Sequence, residues 1–406
     1  MDISKRNTAK RLGLAGLALV MTGLISACSP GGFSFLGGGA PAGNKADAGP
    51  AATLSGKTIG AGPVKVALLL PLSGDATLSA VGNSMANAAE LAMDFVKSNP
   101  NLGENITLVI KDSGANALGA SSAAQQALAE GASLILGPLR ADQVTVVGDA
   151  ARQSGVNVIA FSNNPGAASA GVFLLNVLPE TEVKRSMNYA QKLGKKAFAG
   201  IFPNNDFGRL QQGAFQQTMA DLGLQARAIY NFSNEAEARA IIAQLTPLLQ
   251  QGQIDSLFIP DRATAPSFGN MLQEAGIQPG TVQLVGSSDW ATDATIGNTT
   301  SLAGAIFPAL DDAGLMALSA EYQTRFGSAP HPLATLAYTA TILANAKALA
   351  NGTPRYDRTL LTNAAGFSGR DGVFRFLPDG RSEFALTIRQ VSIGGSSVAE
   401  GAPKKF

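Results

Sequence analysis

A chain of 406 residues, 46% of them hydrophobic, is too long for one small core and implies two domains. Lys and Arg number 30 against 29 Asp and Glu, a balance that argues against a nucleic-acid partner. One cysteine and one histidine exclude an internal disulfide and remove the usual parts of His-dependent triads and zinc sites.

The chain opens with Lys5, Arg6, Lys10 and Arg11, then an uncharged, mostly apolar run over residues 12–24. That run is short for a bilayer span and fits the core of a secretory signal. Ile25-Ser26-Ala27-Cys28 follows and resembles the bacterial lipobox. The resemblance implies a lipoprotein signal over residues 1–28, lipidation of Cys28 and a membrane-anchored protein of the periplasm. Ser29, where Asp would signal inner-membrane retention, leans towards the outer membrane. A plain signal peptide with an incidental cysteine is the alternative. Residues 29–62, rich in Gly, Ala and Pro, read as a flexible linker with a reach of about 30 Å.

From residue 64 strands and helices alternate about every 25 residues. Strands are expected at 64–70, 106–110, 134–136 and 156–161, and helices at 79–97, 117–130 and 142–153. After a short strand at 172–177 the rhythm restarts. Helices are expected at 180–193, 208–222, 235–250 and 265–275, with strands at 197–202, 225–230, 256–260 and 282–286. Apolar strands joined by helices imply parallel sheets covered on both faces. The fold class is therefore α/β, with two Rossmann-like doubly wound lobes. The tail adds a strand at 302–307, helices near 314–326, 333–350 and 358–364, and a hairpin of 372–376 and 384–391 around Pro378-Asp379-Gly380.

Ligands of open parallel sheets bind beyond the carboxyl ends of the strands. In the first lobe those positions carry Ser73, then Leu139, Arg140 and Ala141, then Ser162 and Asn163. In the second they carry Phe207, Asp261 and Asp289, the last beside the single tryptophan, Trp290. Short hydroxyl, amide and carboxylate side chains suit a small polar ligand but supply no nucleophile with an adjacent base. Each has a plainer alternative. Ser162 and Asn163 can cap a turn, Asp261 can cap a helix, Arg140 can be a solvated charge, and Phe207 can be core. His331, Met85 and Met93 read as structural. Walker and nucleophile-elbow motifs are absent, so neither an enzyme nor a cofactor nor a metal site is expected.

Residues 64–74, 134–139, 158–163 and 204–208 resemble type I periplasmic binding proteins of the leucine/isoleucine/valine-binding branch. The resemblance implies a central cleft and three hinge crossovers, near residues 178, 303 and 367. Lobe one would be 63–178 and 304–366, and lobe two 179–303 and 367–395. It further implies that 139–141 and 162–163 hold a ligand carboxylate, Asp289 an ammonium, and Phe207 a clamping position without the usual hydroxyl. The stretches Gly137-Pro138-Leu139-Arg140-Ala141-Asp142 and Pro330-His331-Pro332-Leu333 are also similar to the penicillin-binding-protein activators. The sequence thus ranks first an amino-acid-like solute captured for an ABC transporter permease. A regulator contacting a peptidoglycan synthase is the alternative.

Overall fold

The computed structural model describes residues 56–224 and 226–406. The predicted signal, Cys28 and residues 29–55 of the predicted linker lie outside the described residues. The first part runs β1 (Lys57–Ile59), β2 (Val64–Leu70), α1 (Ala76–Ser98), β3 (Ile106–Asp112), α2 (Ala117–Ala129), β4 (Leu134–Leu136), α3 (Ala141–Gln153), β5 (Asn157–Ala160) and β6 (Val172–Leu174). The second runs α4 (Pro179–Lys192), β7 (Phe198–Pro203), α5 (Asp206–Asp221), β8 (Ala228–Phe232), α6 (Glu235–Gln250), β9 (Ser256–Phe258), α7 (Ala265–Glu274), β10 (Gln283–Val285), α8 (Ala294–Asn298) and β11 (Ile306–Ala309). The tail holds α9 (Asp312–Phe326), α10 (Ala334–Asn345), α11 (Lys347–Ala350), α12 (Arg358–Leu361), β12 (Phe367–Gly369), β13 (Gly372–Phe376), β14 (Ser382–Phe384), β15 (Thr387–Ser392) and β16 (Gly395–Glu400).

Two doubly wound sheets result. The first has the order β1-β3-β2-β4-β5-β6 and is parallel except at β1. Its central strand β2 is apolar on both sides because both faces are covered. Val66, Leu68 and Leu70 face a cluster with Met85, Met93 and Ala340, from α1 and α10. Ala67 and Leu69 face the alanines of α2 and the valines of α3. Helix α1 starts where the Asp75 carboxylate accepts the Leu78 N–H at 2.7 Å, and buries one stripe through Met85, Ala89, Met93 and Val96. Helix α10 is buried nearly all round and packed against α1, and its buried Thr341 hydroxyl donates to the Ala337 carbonyl at 2.8 Å.

The second sheet has the order β16-β15-β11-β10-β9-β7-β8, with β15 and β16 antiparallel to their neighbours. Ile201 and Leu257 face one cluster and Phe202 and Phe258 the other, so this sheet too is covered on both sides.

Several boundaries differ from expectation. Residues 57–59, expected as linker, pair with β3 and extend the first sheet. The strand expected at 302–307 begins only at Ile306, after a 3-10 turn, and stays in the second sheet between β10 and β15. The second crossover therefore follows Ala309 rather than residue 303. The third is later still. Strands β12 to β14 form a separate sheet whose Phe374, Phe376 and Phe384 join the first lobe's core, with the Phe376 ring tilted against Phe173 at a centroid distance of 5.4 Å. Only at Thr387 does the chain enter the second sheet. The physical reason is burial: the alternating phenylalanines of this hairpin have their apolar partners in the first lobe. Ala346 breaks the expected 333–350 helix with extended backbone, and β16 was not foreseen.

Candidate functional site

The loops beyond the carboxyl ends of the two sheets form the two walls of the cleft. In the first lobe they converge on Asp112, at the end of β3. Its carboxylate accepts the Leu72 N–H at 2.9 Å, the Gly114 N–H at 2.8 Å and the Ser73 hydroxyl. Burial works against the charge, yet these hydrogen bonds outweigh it and hold the carboxyl below the usual range. Gln143, fully buried at the start of α3, donates to the Gly114 and Asn116 carbonyls at 2.9 and 3.2 Å and fixes the same loop from behind. Gly137 at the end of β4 has φ +83°, and a Cβ there would lie 2.2 Å from the Leu69 carbonyl oxygen, so only glycine lets these loops approach.

In the second lobe the Ser287 hydroxyl ties the loops after β9 and β10 together. It donates to the Pro260 carbonyl at 2.7 Å and accepts the Asp289 N–H at 3.3 Å. Trp290 is 1% exposed beneath this loop, and a Cβ on Gly286 would lie 2.2 Å from its ring, so glycine is required for the indole to seat. The Asp289 carboxylate lies 3.6 Å from the Arg262 guanidinium. Burial pushes the Asp289 carboxyl up, Arg262 opposes the rise, and Asp261 and Asp293 add to it. Below it Glu182, in the first turn of α4, is buried. It accepts the Ser288 N–H at 2.8 Å and a bond from the Gln211 amide. Burial raises its carboxyl, hydrogen bonds from Ser288 and Gln211 oppose this, and the Asp289 charge adds to the rise.

The expected site residues distribute as follows. Ser73 joins Asp112. Leu139 is half-buried against the first lobe's core, and Ala141 opens α3. Arg140, the residue before α3, is held 3.0 Å from Asp142 in the first turn of that helix. Ser162 is buried and accepts the Asn164 N–H at 3.2 Å, in the manner of a turn cap, whereas Asn163 is exposed. Phe207 is half-buried at the start of α5. Asp261 accepts the Thr264 hydroxyl at 2.7 Å and the Ala263 N–H at 3.3 Å, bonds that hold the turn before α7, whose N-cap is Thr264. His331 Nδ1 accepts the Leu333 N–H at 3.2 Å near the start of α10.

Sequence reasoning missed Asp112, Glu182 and Arg262 as site residues. Asp112 was signalled by Asp-Ser-Gly at a strand end, in the one first-lobe loop passed over. Glu182 had no local signal, because its partner Ser288 is 106 residues away. Among the described residues no group of three His, Cys, Asp or Glu is placed to hold a metal ion.

Residues 63–395 match the family described as "Periplasmic binding protein", and the chain belongs to it. Over 178 residues the chain is 26% identical to penicillin-binding protein activator LpoA of Glaesserella parasuis. That match spans 44% of this chain and 29% of the relative's length. Among solved structures, a candidate branched-chain amino acid ABC transporter from Rhodospirillum rubrum superposes with TM-score 0.71 at 19% identity, over 82% of this chain and 99% of that one. The C-domain of LpoA from Haemophilus influenzae, described as a regulator of PBP1A, superposes with TM-score 0.62 at 18% identity, again over 82% and 99%. At these identities the superpositions establish the fold alone.

Proposed function

We propose that this periplasmic binding protein is a lipid-anchored regulator that acts by contact with a peptidoglycan-synthesising enzyme. Cys28 carries the anchor, and the residue after it leans towards the outer membrane. The sequence alone ranks solute capture first. One observation reverses that order: the carboxylate at the position expected to take a ligand's ammonium, Asp289, already faces the Arg262 guanidinium at 3.6 Å. The likeness to LpoA, whose Haemophilus influenzae C-domain is described as a regulator of PBP1A, supports the reading.

The second reading is capture of an amino-acid-like solute for an ABC transporter permease. An ion pair whose side chains are 45% and 34% exposed contributes under about 1 kcal/mol, so an ammonium ligand could displace Arg262. Exposed Asn163, with Ser73, Ser162 and half-buried Phe207, would then contact the solute.

One experiment with two arms separates them. A peptidoglycan synthase of the same organism is assayed for crosslinking with and without the purified chain. Thermal unfolding of wild type and Asp289→Ala is then followed against free amino acids. Regulation predicts a faster synthase, and no amino-acid stabilisation that depends on Asp289. An unchanged synthase, together with stabilisation following RT ln(1 + [L]/Kd) that Asp289→Ala abolishes, would refute it in favour of transport.

A further inference from the structure

A cavity of about 580 Å³ opens at the joint between the lobes, and none of its lining residues belongs to the cleft loops. One wall is α4 and α5 of the second lobe. The other is the β13–β14 turn, whose flanking phenylalanines lie in the first lobe's core. Bonds cross the joint beside it: Thr181 donates to the Ser382 carbonyl at 3.2 Å, and Arg381 reaches Glu180 at 3.4 Å. The volume falls in the range of small-molecule sites, roughly 300–1,000 Å³.

Its charges sort by what already engages them. Arg381 is held by Asp379 at 2.8 Å as well as by Glu180, and Glu383 is held by Arg375 at 2.7 Å. Two remain. Lys184 on α4 is exposed and meets no acceptor among the described residues. Asp221 on α5 is exposed and accepts from the Gln217 amide at 2.8 Å through one oxygen, leaving the other. Lys184 and Asp221 thus face the cavity as an exposed cation and anion that do not pair with each other, with Leu178, Leu377 and Ala214 as apolar lining.

We propose that this cavity is a second ligand site, for a small zwitterion whose ammonium is taken by Asp221 and whose carboxylate is taken by Lys184. Its walls come from different lobes, so occupancy favours one lobe angle, and by reciprocity the lobe angle sets its affinity. This does not rest on either reading of the cleft.

Thermal unfolding of the full chain tests it, with L-glutamine as the zwitterion, 1,4-diaminobutane as cation alone and succinate as anion alone. L-Glutamine should raise the midpoint saturably and the two controls should not. Asp221→Asn and Lys184→Gln, both at exposed side chains that leave the fold intact, should each weaken the L-glutamine effect by about tenfold or more, the loss of one charge-assisted contact. An Asp289→Ala arm reads the cleft separately. No saturable rise with L-glutamine, or a rise undiminished by either cavity substitution, overturns the assignment.

Discussion

The two walls of the cleft treat their carboxylates in opposite ways. In the first lobe Asp112 is buried yet held below the usual range, because Leu72, Ser73 and Gly114 aim donors at it. In the second lobe burial raises Glu182 and Asp289, against fewer or weaker opposing groups. Burial acts on both walls, and its balance against the donors aimed at each carboxylate sets the sign. A fourth carboxylate, Asp371 in the β12–β13 turn, extends the series. It is 4% exposed, only the Thr335 hydroxyl opposes its burial, and its pKa rises to about 6.

The largest effect should come from removing the member with the most hydrogen-bond donors. Asp112→Ala leaves the Leu72 and Gly114 N–H groups without their acceptor and frees the loop carrying Ser73. Each lost partner costs about 1–3 kcal/mol, so urea unfolding near neutral pH should show a loss of about 3 kcal/mol. The folded pKa is depressed, so this stabilisation is present above the unfolded pKa and is lost as pH falls through the folded value. A loss confined to pH below the carboxylate range would break the comparison.

Asp371→Asn should act in the opposite direction. Its folded pKa lies above the ordinary 3.8, so its contribution is full below that value and is lost as pH rises through about 6. The rise from 3.8 to about 6 corresponds to roughly 3 kcal/mol once titration is complete. An amide in the same place recovers part of that. Above about pH 7 the variant should be more stable than wild type by about 2 kcal/mol, and the difference should vanish on acidification. Equal stability of the two proteins across the whole range would show that the turn opens to water.

These carboxylates also mark what the sequence could and could not reveal. The apolar run at β2 and the amphipathic helices are local patterns, and α6 and β13 carry the expected bounds unchanged. Lobe membership of the tail is not local. The phenylalanines of β13 and β14 announce a hairpin but not which core receives it, and β16, with little apolar content, carries no strand period at all. At the site, residues next to strand ends were legible as loop positions, and Asp289 stood out beside Trp290. What they bond to was not. Arg262 opposite Asp289 and Glu182 beneath Ser288 are meetings of loops and a helix that only the folded chain brings together.

The smallest expected effect lies at that last contact. Glu182 accepts the Ser288 N–H at 2.8 Å and faces Gln211, whose own amide oxygen is buried without a partner. A protonated Glu182 resolves this, because rotation of the Gln211 amide lets its oxygen accept from the carboxylic acid. Glu182→Gln makes the same bonds permanently: its oxygen accepts from Ser288, and its amide donates to Gln211. Because the folded pKa is raised, wild type loses the contribution of Glu182 as pH climbs through that value, whereas the amide variant does not. At neutral pH the variant should match or exceed wild type by about 1 kcal/mol, the worth of one hydrogen bond. Glu182→Ala, which strands the Ser288 N–H, should fall below both. If Glu182→Gln instead loses several kcal/mol in urea unfolding at neutral pH, Glu182 is ionised there, and the second wall holds its carboxylate charged as the first does.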